Sequence, residues 1–185
     1  MCPVKYSHIN GHKIQWCIPR IEKMDRPNDD QLFSLICADK HPFSPIEFLA
    51  QGNMVTGSNG LIIVTDDVLT QNNLATKDLD NFKVVFGVHH WLVFSGFKNE
   101  ITGHADIHIR VLGDNLFAVA WNLSSSDDRD TSMQLIKKLK LYKPDAKILK
   151  IPIRSINEQY ASLLNWIQID RRLLIPKYDI TKKKI

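Results

Sequence analysis

The chain lacks any run of about eighteen consecutive apolar residues, the length that a helix needs to cross a bilayer, so no membrane partner is expected. Its opening, Met1-Cys2-Pro3-Val4-Lys5, has no basic segment leading into an apolar stretch. No secretory leader is expected there, and the cytoplasm is the default compartment. Cysteine is scarce. Cys2, Cys17 and Cys37 are irregularly spaced and supply neither a disulfide framework nor a CxxC metal knuckle. Low-complexity segments and long linkers are also missing, which predicts a single domain over residues 1–185. A large excess of charge of one sign is missing as well: the net charge is +4, much of it in Lys182-Lys183-Lys184. Elsewhere basic residues alternate with acids, as in Asp127-Asp128-Arg129-Asp130, and no basic stripe interleaved with aromatics invites nucleic acid. What the chain does have is an ordinary supply of core, 44% hydrophobic against 24% charged.

That core is distributed in a repeating order. Met54-Val55-Thr56, the turn Gly57-Ser58-Asn59-Gly60 and Leu61 to Thr65 predict a hairpin. Thr76 is placed to cap a helix over Lys77 to Gly87, where Leu79, Phe82, Val85 and Phe86 recur at three or four residues, and Trp91 to Phe94 predicts the next strand. The same order returns downstream. Strands are expected over Ala105 to Leu112 and Leu116 to Trp121, a helix over Asp130 to Leu141, and a strand over Lys147 to Ile153. A third hairpin is expected over Leu163 to Ile169 and Leu173 to Ile175. Upstream, a strand over Lys13 to Ile18, a helix over Asp29 to Asp39 and a strand over Ile46 to Ala50 form the back of an earlier unit, with its opening strand missing. Repeats of roughly fifty residues suggest a propeller or similar array, in which each unit buries its apolar face against a neighbour.

One segment combines residues suited to chemistry. In Gly103-His104-Ala105-Asp106-Ile107-His108, a strand would place His104, Asp106 and His108 on one face and Ile107, Ile109 and Val111 on the other. Such residues can be half-buried strand positions, or ligands of a metal, although no second ligand cluster matches them.

Thr102-Gly103-His104-Ala105-Asp106, followed by Arg110 and the turn Gly113-Asp114-Asn115, resembles the Gly-His-x-Asp segment of the agmatine deiminases and bacterial (Porphyromonas-type) peptidylarginine deiminases. Gln51-Gly52-Asn53-Met54 is similar to that family's Gly-Gly-Asn strand start, and Ser162-Leu163-Leu164-Asn165-Trp166 to its asparagine-bearing hairpin. The three matches fall in order and span nearly the whole chain. The resemblance implies an α/β fold of pentein type, an α/β propeller of ββαβ units, here incomplete with about three of five units. It also implies hydrolysis of a guanidinium to a ureido group with release of ammonia, on agmatine, arginine or peptidyl-arginine, with a link to putrescine biosynthesis and no cofactor or metal.

The chemistry explains the residue types. A guanidinium is planar and cationic, so a carboxylate that accepts paired hydrogen bonds from its N–H edges is wanted, and the resemblance gives Asp106 that role. It implies His104 for both proton transfers, Asn165 for orienting substrate or adduct, and Gly52 and Asn53 for the wall of the site. Two family segments have no counterpart here: the Arg-Asp-x-Gly-Pro segment, and the Gly-rich His-Cys segment that carries the nucleophile. Cys17 and Cys37 are expected in the core and Cys2 at a terminus, so none is assigned as nucleophile. Gln51 also stands where the family has its first glycine. The expectation is a partial chain, inactive alone. The alternative is a binding or subunit-pairing remnant of the same fold, since exposed strand edges favour self-association or a complementing chain.

Overall fold

The repeating sequence order becomes a repeating sheet topology in the computed structural model, which describes residues 4–7, 14–19, 43–46, 52–100, 102–156, 159–169 and 172–177. The chain divides into two compact units, Met1–Val93 and Phe94–Ile185.

In the first unit, β1 (Val4–Ser7) runs antiparallel to β2 (Ile14–Pro19), and β3 (Phe43–Ile46) lies parallel to β2 on its other side. The opening strand expected to be missing is therefore present. Val4-Lys5-Tyr6-Ser7 is short and only half apolar, so it carries little strand pattern, although Val and Tyr favour strands. A strand occupies Phe43–Ile46; of the strand expected over Ile46 to Ala50, residues 47–50 lie outside the described residues. The helix expected over Asp29 to Asp39 lies outside the described residues.

A second sheet has the order β4 (Met54–Thr56), β5 (Leu61–Thr65), β6 (His90–Phe94), with β4 antiparallel to β5 and Val55 opposite Ile63. Every residue of β5 is buried, as a central strand with a continuous apolar run requires. The hairpin turns through Asn59 and Gly60, both at positive φ (56° and 67°), closed by the Leu61 N–H donating to the Ser58 carbonyl at 3.2 Å. Glycine is required at position 60: a Cβ would lie 2.8 Å from the backbone nitrogen of His89, whose N–H donates to the Gly60 carbonyl at 2.9 Å.

The single helix expected over Lys77 to Gly87 is two short pieces, a 3₁₀ helix (Thr76–Phe82) and α2 (Lys83–Phe86), and a helix not expected, α1 (Asp66–Gln71), precedes them. Asp78, Asp80, Asn81 and Thr76 are weak helix formers, and the run 76–82 adopts the tighter spiral. Its cap position is Ala75 rather than Thr76, and the Ala75 N–H donates to Asp78 Oδ2 at 2.8 Å. These pieces still deliver their apolar side chains. Val68, Leu79, Phe86 and Val88 join Ile62 and Val64 in one buried cluster, where each such side chain contributes roughly 1.5–3 kcal/mol.

The second unit shows the ββαβ order most fully. A helical turn, α3 (Ala105–His108), leads into β7 (Ile109–Gly113), which pairs antiparallel with β8 (Leu116–Asn122). The helix α4 (Ser126–Tyr142) then crosses to β9 (Lys147–Ile156), which lies parallel to β8, with Ala118 opposite Leu149. The helix starts four residues before the expected Asp130, because Ser125 caps it: its Oγ accepts the Asp128 N–H at 3.2 Å. That first turn is polar, so apolar spacing alone does not reveal it. A strand not expected, β10 (Gln159–Ala161), adds antiparallel to β9. The last hairpin pairs β11 (Ile167–Ile169) with β12 (Arg172–Leu174) and is shorter than expected, because Ser162 to Trp166 is irregular. Phe97, Ala118, Ala120, Ile153, Leu164 and Trp166 form the buried cluster of this unit. Among the described residues, no helix is long and apolar enough to cross a membrane.

Candidate functional site

The second unit brings His104 and Asp106 together, but not as neighbours on one face of a strand. Gly103 has φ +65°, His104 is extended (φ −72°, ψ 120°), and the chain then turns helically through Ala105–His108, with the Ile107 N–H donating to the His104 carbonyl at 3.3 Å. The strand expected from Ala105 begins only at Ile109. The left-handed glycine redirects the backbone, and Ala105 and Asp106 are compatible with a helical first turn.

The change of period separates the two histidines. His108 is 1% exposed, its ring against those of Phe94 and Phe97 with centroids 5.4 and 4.2 Å away. Neither ring nitrogen has a hydrogen-bond partner, and burial pushes its pKa down to about 4, with the Glu100 charge opposing. His104, Asp106 and His108 therefore do not share a face as metal ligands would. Among the described residues, no group of three His, Cys, Asp or Glu side chains could hold a metal ion.

His104 Nδ1 lies 3.9 Å from Asp106 Oδ1, with side-chain exposures of 30% and 27%, low enough to strengthen charge and high enough to admit a ligand. Asp106 Oδ1 is buried and accepts no hydrogen bond. Burial holds the Asp106 carboxyl above its usual range, while His104, Arg110 and the backbone N–H of Asp106 pull it down and Glu100 pushes it up. Such a carboxylate favours an arriving cation with N–H groups to donate. Arg110, on β7, carries its guanidinium 5.7 Å from the centre of the Trp166 ring.

Asn165 is exposed, between the buried Leu164 and Trp166. Its segment is pinned to the site by Ser162, whose Oγ donates to the Ile107 carbonyl at 2.9 Å and accepts from the Leu164 N–H at 3.3 Å. Gly52 and Asn53 belong to the first unit, where they precede β4. Gly52 has φ +87°, and Asn53 is fully buried with both amide atoms lacking hydrogen-bond partners. Cys17 lies on β2 opposite Val4; Cys2 and Cys37 lie outside the described residues.

Sequence reasoning missed Glu100. Its carboxylate accepts from Thr102 Oγ1 at 2.6 Å, from the Thr102 N–H at 3.0 Å and from the His104 N–H at 3.2 Å. The only trace in the sequence is an acid two residues before a threonine and four before the histidine.

No protein-family model matches this sequence, and no curated protein matches it. Solved structures do match its fold. An agmatine deiminase of C. jejuni superposes with a TM-score of 0.72 at 16% identity, over 92% of this chain and 56% of that one. The chain has the pentein fold of the agmatine deiminases. Two further pentein structures agree: the agmatine deiminase of Enterococcus faecalis (TM-score 0.71, 13% identity, 90% of this chain and 58% of that one) and a chain from Porphyromonas gingivalis described as an arginine deiminase (0.70, 17%, 90% and 58%). This chain thus spans somewhat over half the length of the pentein chains it matches. The hairpin, helix and parallel strand of β7, β8, α4 and β9 are one ββαβ unit of that fold.

Proposed function

We propose that this chain is part of a deiminase acting on guanidino compounds, related to the agmatine deiminases and bacterial peptidylarginine deiminases. The observation that carries this reading is the His104 and Asp106 pair, 3.9 Å apart and half-buried within a pentein fold. Asp106 accepts hydrogen bonds from the guanidinium, and the incoming positive charge favours its ionised form. His104 donates a proton to the departing ammonia and then takes one from the water that hydrolyses the covalent adduct. Asn165 orients the substrate or adduct. The thiolate that forms the adduct has no assigned source among the cysteines of this sequence. Agmatine, arginine or peptidyl-arginine supplies the guanidinium; no cofactor or metal is required.

Two outcomes are expected of the purified chain. It releases no ammonia from agmatine, arginine or peptidyl-arginine, whereas agmatine at millimolar concentration shifts the Asp106 carboxyl resonance and the His104 ring resonances in NMR, and the His104 shift is lost after Asp106→Asn. Turnover by the chain alone that is abolished by His104→Ala would overturn the inactivity; an Asp106 signal indifferent to agmatine would overturn the guanidino reading.

A second reading, a non-catalytic subunit-pairing remnant that associates with itself or a complementing chain, draws on the last hairpin. Ile167, Ile169 and Leu174 share one of its faces and are 61%, 55% and 55% exposed. Under this reading, light scattering finds concentration-dependent dimers that Ile167→Lys disperses. A clean monomer at all concentrations would count against it.

A further inference from the structure

We infer that Glu100 is a positioning residue for the proposed catalytic pair: its carboxylate, bonded to the His104 N–H and to Thr102, holds the backbone of His104 in register with Asp106. The role assigned to the pair rests on the deiminase reading; the physical effect of Glu100 does not.

The geometry begins one turn earlier. The Glu100 N–H donates to the Phe97 carbonyl at 2.9 Å, and Phe97 is 3% exposed, with its ring 4.2 Å from that of His108 and 5.0 Å from that of Tyr160. Glu100 therefore starts from a fixed point in the core. Its two carboxylate oxygens then reach forward in different directions. Oε1 takes both donors of Thr102, and Oε2 takes the N–H of His104. Both oxygens are engaged, so Glu100 is occupied with the loop rather than free for a ligand. Between Thr102 and His104 stands Gly103 at φ +65°, a conformation that glycine adopts at little cost and that the carboxylate bridges. The far side of His104 is fixed independently, because its carbonyl accepts from Ile107 and the Ile107 carbonyl accepts from Ser162 Oγ. The histidine is thus held on both sides, and Glu100 supplies the side nearer the entry of the chain.

The charge acts as well as the hydrogen bonds. Asp106 is faced by His104 and Arg110, which favour its ionised form, and by Glu100, which opposes it. Burial remains the larger influence on Asp106, His108 and Tyr160, but the Glu100 charge is felt at all three. A substitution that keeps the shape of Glu100 and removes its charge separates this effect from folding.

The test is NMR on the full isotopically labelled chain, comparing the parent with Glu100→Gln and Glu100→Asp. A glutamine has one acceptor oxygen where two are used, and its amide N–H groups confront the donors of Thr102 or His104. In Glu100→Gln, the His104 amide is expected to exchange with solvent roughly tenfold faster, the consequence of losing one charge-assisted hydrogen bond. The Asp106 carboxyl is expected to titrate at lower pH, a change that a merely structural role would not produce. Glu100→Asp keeps the charge but shortens the reach, so the Asp106 titration is retained while the His104 amide still loses protection. An unchanged His104 exchange rate or an unchanged Asp106 titration in Glu100→Gln overturns the inference. Agmatine added to the same parent sample reports on the deiminase reading separately: no response at Asp106 sinks that reading and leaves both effects of Glu100 standing.

Discussion

Asp128→Ala is expected to destabilise the chain by about 3–5 kcal/mol, lowering the melting temperature by roughly 10 °C. Asp128 lies in the first turn of α4 and is 4% exposed. Its Oδ2 accepts from Asn122 Nδ2 at 2.8 Å and from the Tyr160 hydroxyl at 2.9 Å. One oxygen thereby ties the end of β8 and the short strand β10 to the start of the helix between them in sequence. Burial, and then donation to Asp128, hold the Tyr160 hydroxyl far above the usual phenol range, so it remains a donor. The amide of Asn122 cannot turn to find another partner, because its Oδ1 accepts from the N–H and hydroxyl of Ser124 at 3.0 and 2.7 Å. Alanine leaves a buried amide and a hydroxyl unpaired, at roughly 1–3 kcal/mol each, and removes a negative charge from the helix N-terminus, worth about 0.5 kcal/mol. Tyr160→Phe removes a donor while Asp128 keeps Asn122, and is expected to cost about 1–2 kcal/mol. Thermal unfolding followed by circular dichroism decides between them. An Asp128→Ala loss no larger than that of Tyr160→Phe would mean that the carboxylate does not organise the three elements.

This network explains why the fold was more legible than its fastenings. The hairpins declare themselves locally, by runs such as Leu61 to Val64 and a turn that requires glycine, and the parallel return of β9 follows from the intervening helix. The bond from Tyr160 to Asp128 spans 32 residues and leaves no local pattern. The polar start of α4 hid for a related reason: apolar spacing marks the face that packs, whereas Ser125 and Asp128 serve the unpaired N–H groups of the first turn. Around 76–82 the apolar spacing was correctly located but assigned the wrong spiral, because Leu79 reaches the core from either form.

At the candidate site, the identities of His104 and Asp106 were legible and their geometry was not. The strand period gave three residues on one face; the positive φ of Gly103 converts the segment into a helical turn that keeps two together and sends His108 into the core. Glu100 was invisible because its contacts are mostly to backbone N–H groups, which carry no signature in side-chain chemistry.

The stability of the chain is expected to fall as the pH is lowered from about 6.5 to about 4, and His108 is the group responsible. Its imidazole is buried between Phe94 and Phe97, with both nitrogens unpaired, and burial lowers its pKa from 6.5 to about 4. Between these values the unfolded chain binds a proton that the folded chain refuses, so protonation draws the equilibrium toward unfolding. The contribution is complete above the unfolded value and is lost as the pH drops to the folded one. A difference of 2.5 pH units amounts to about 3 kcal/mol, or roughly 6–12 °C in melting temperature. Asp106 acts in the opposite sense: its carboxyl is raised, so its protonation favours the folded state as the pH falls. The parent profile sums both trends, and a variant is needed to separate them. His108→Leu is similar in size, has no nitrogens to leave unpaired and keeps Asp106 in place. It is expected to be more stable than the parent at pH 7 by about 1–2 kcal/mol, and the gap is expected to widen toward pH 4. Melting temperatures measured across pH 4–8 that run parallel for the two proteins would show that His108 is not the buried base, and would place the acid sensitivity on other groups.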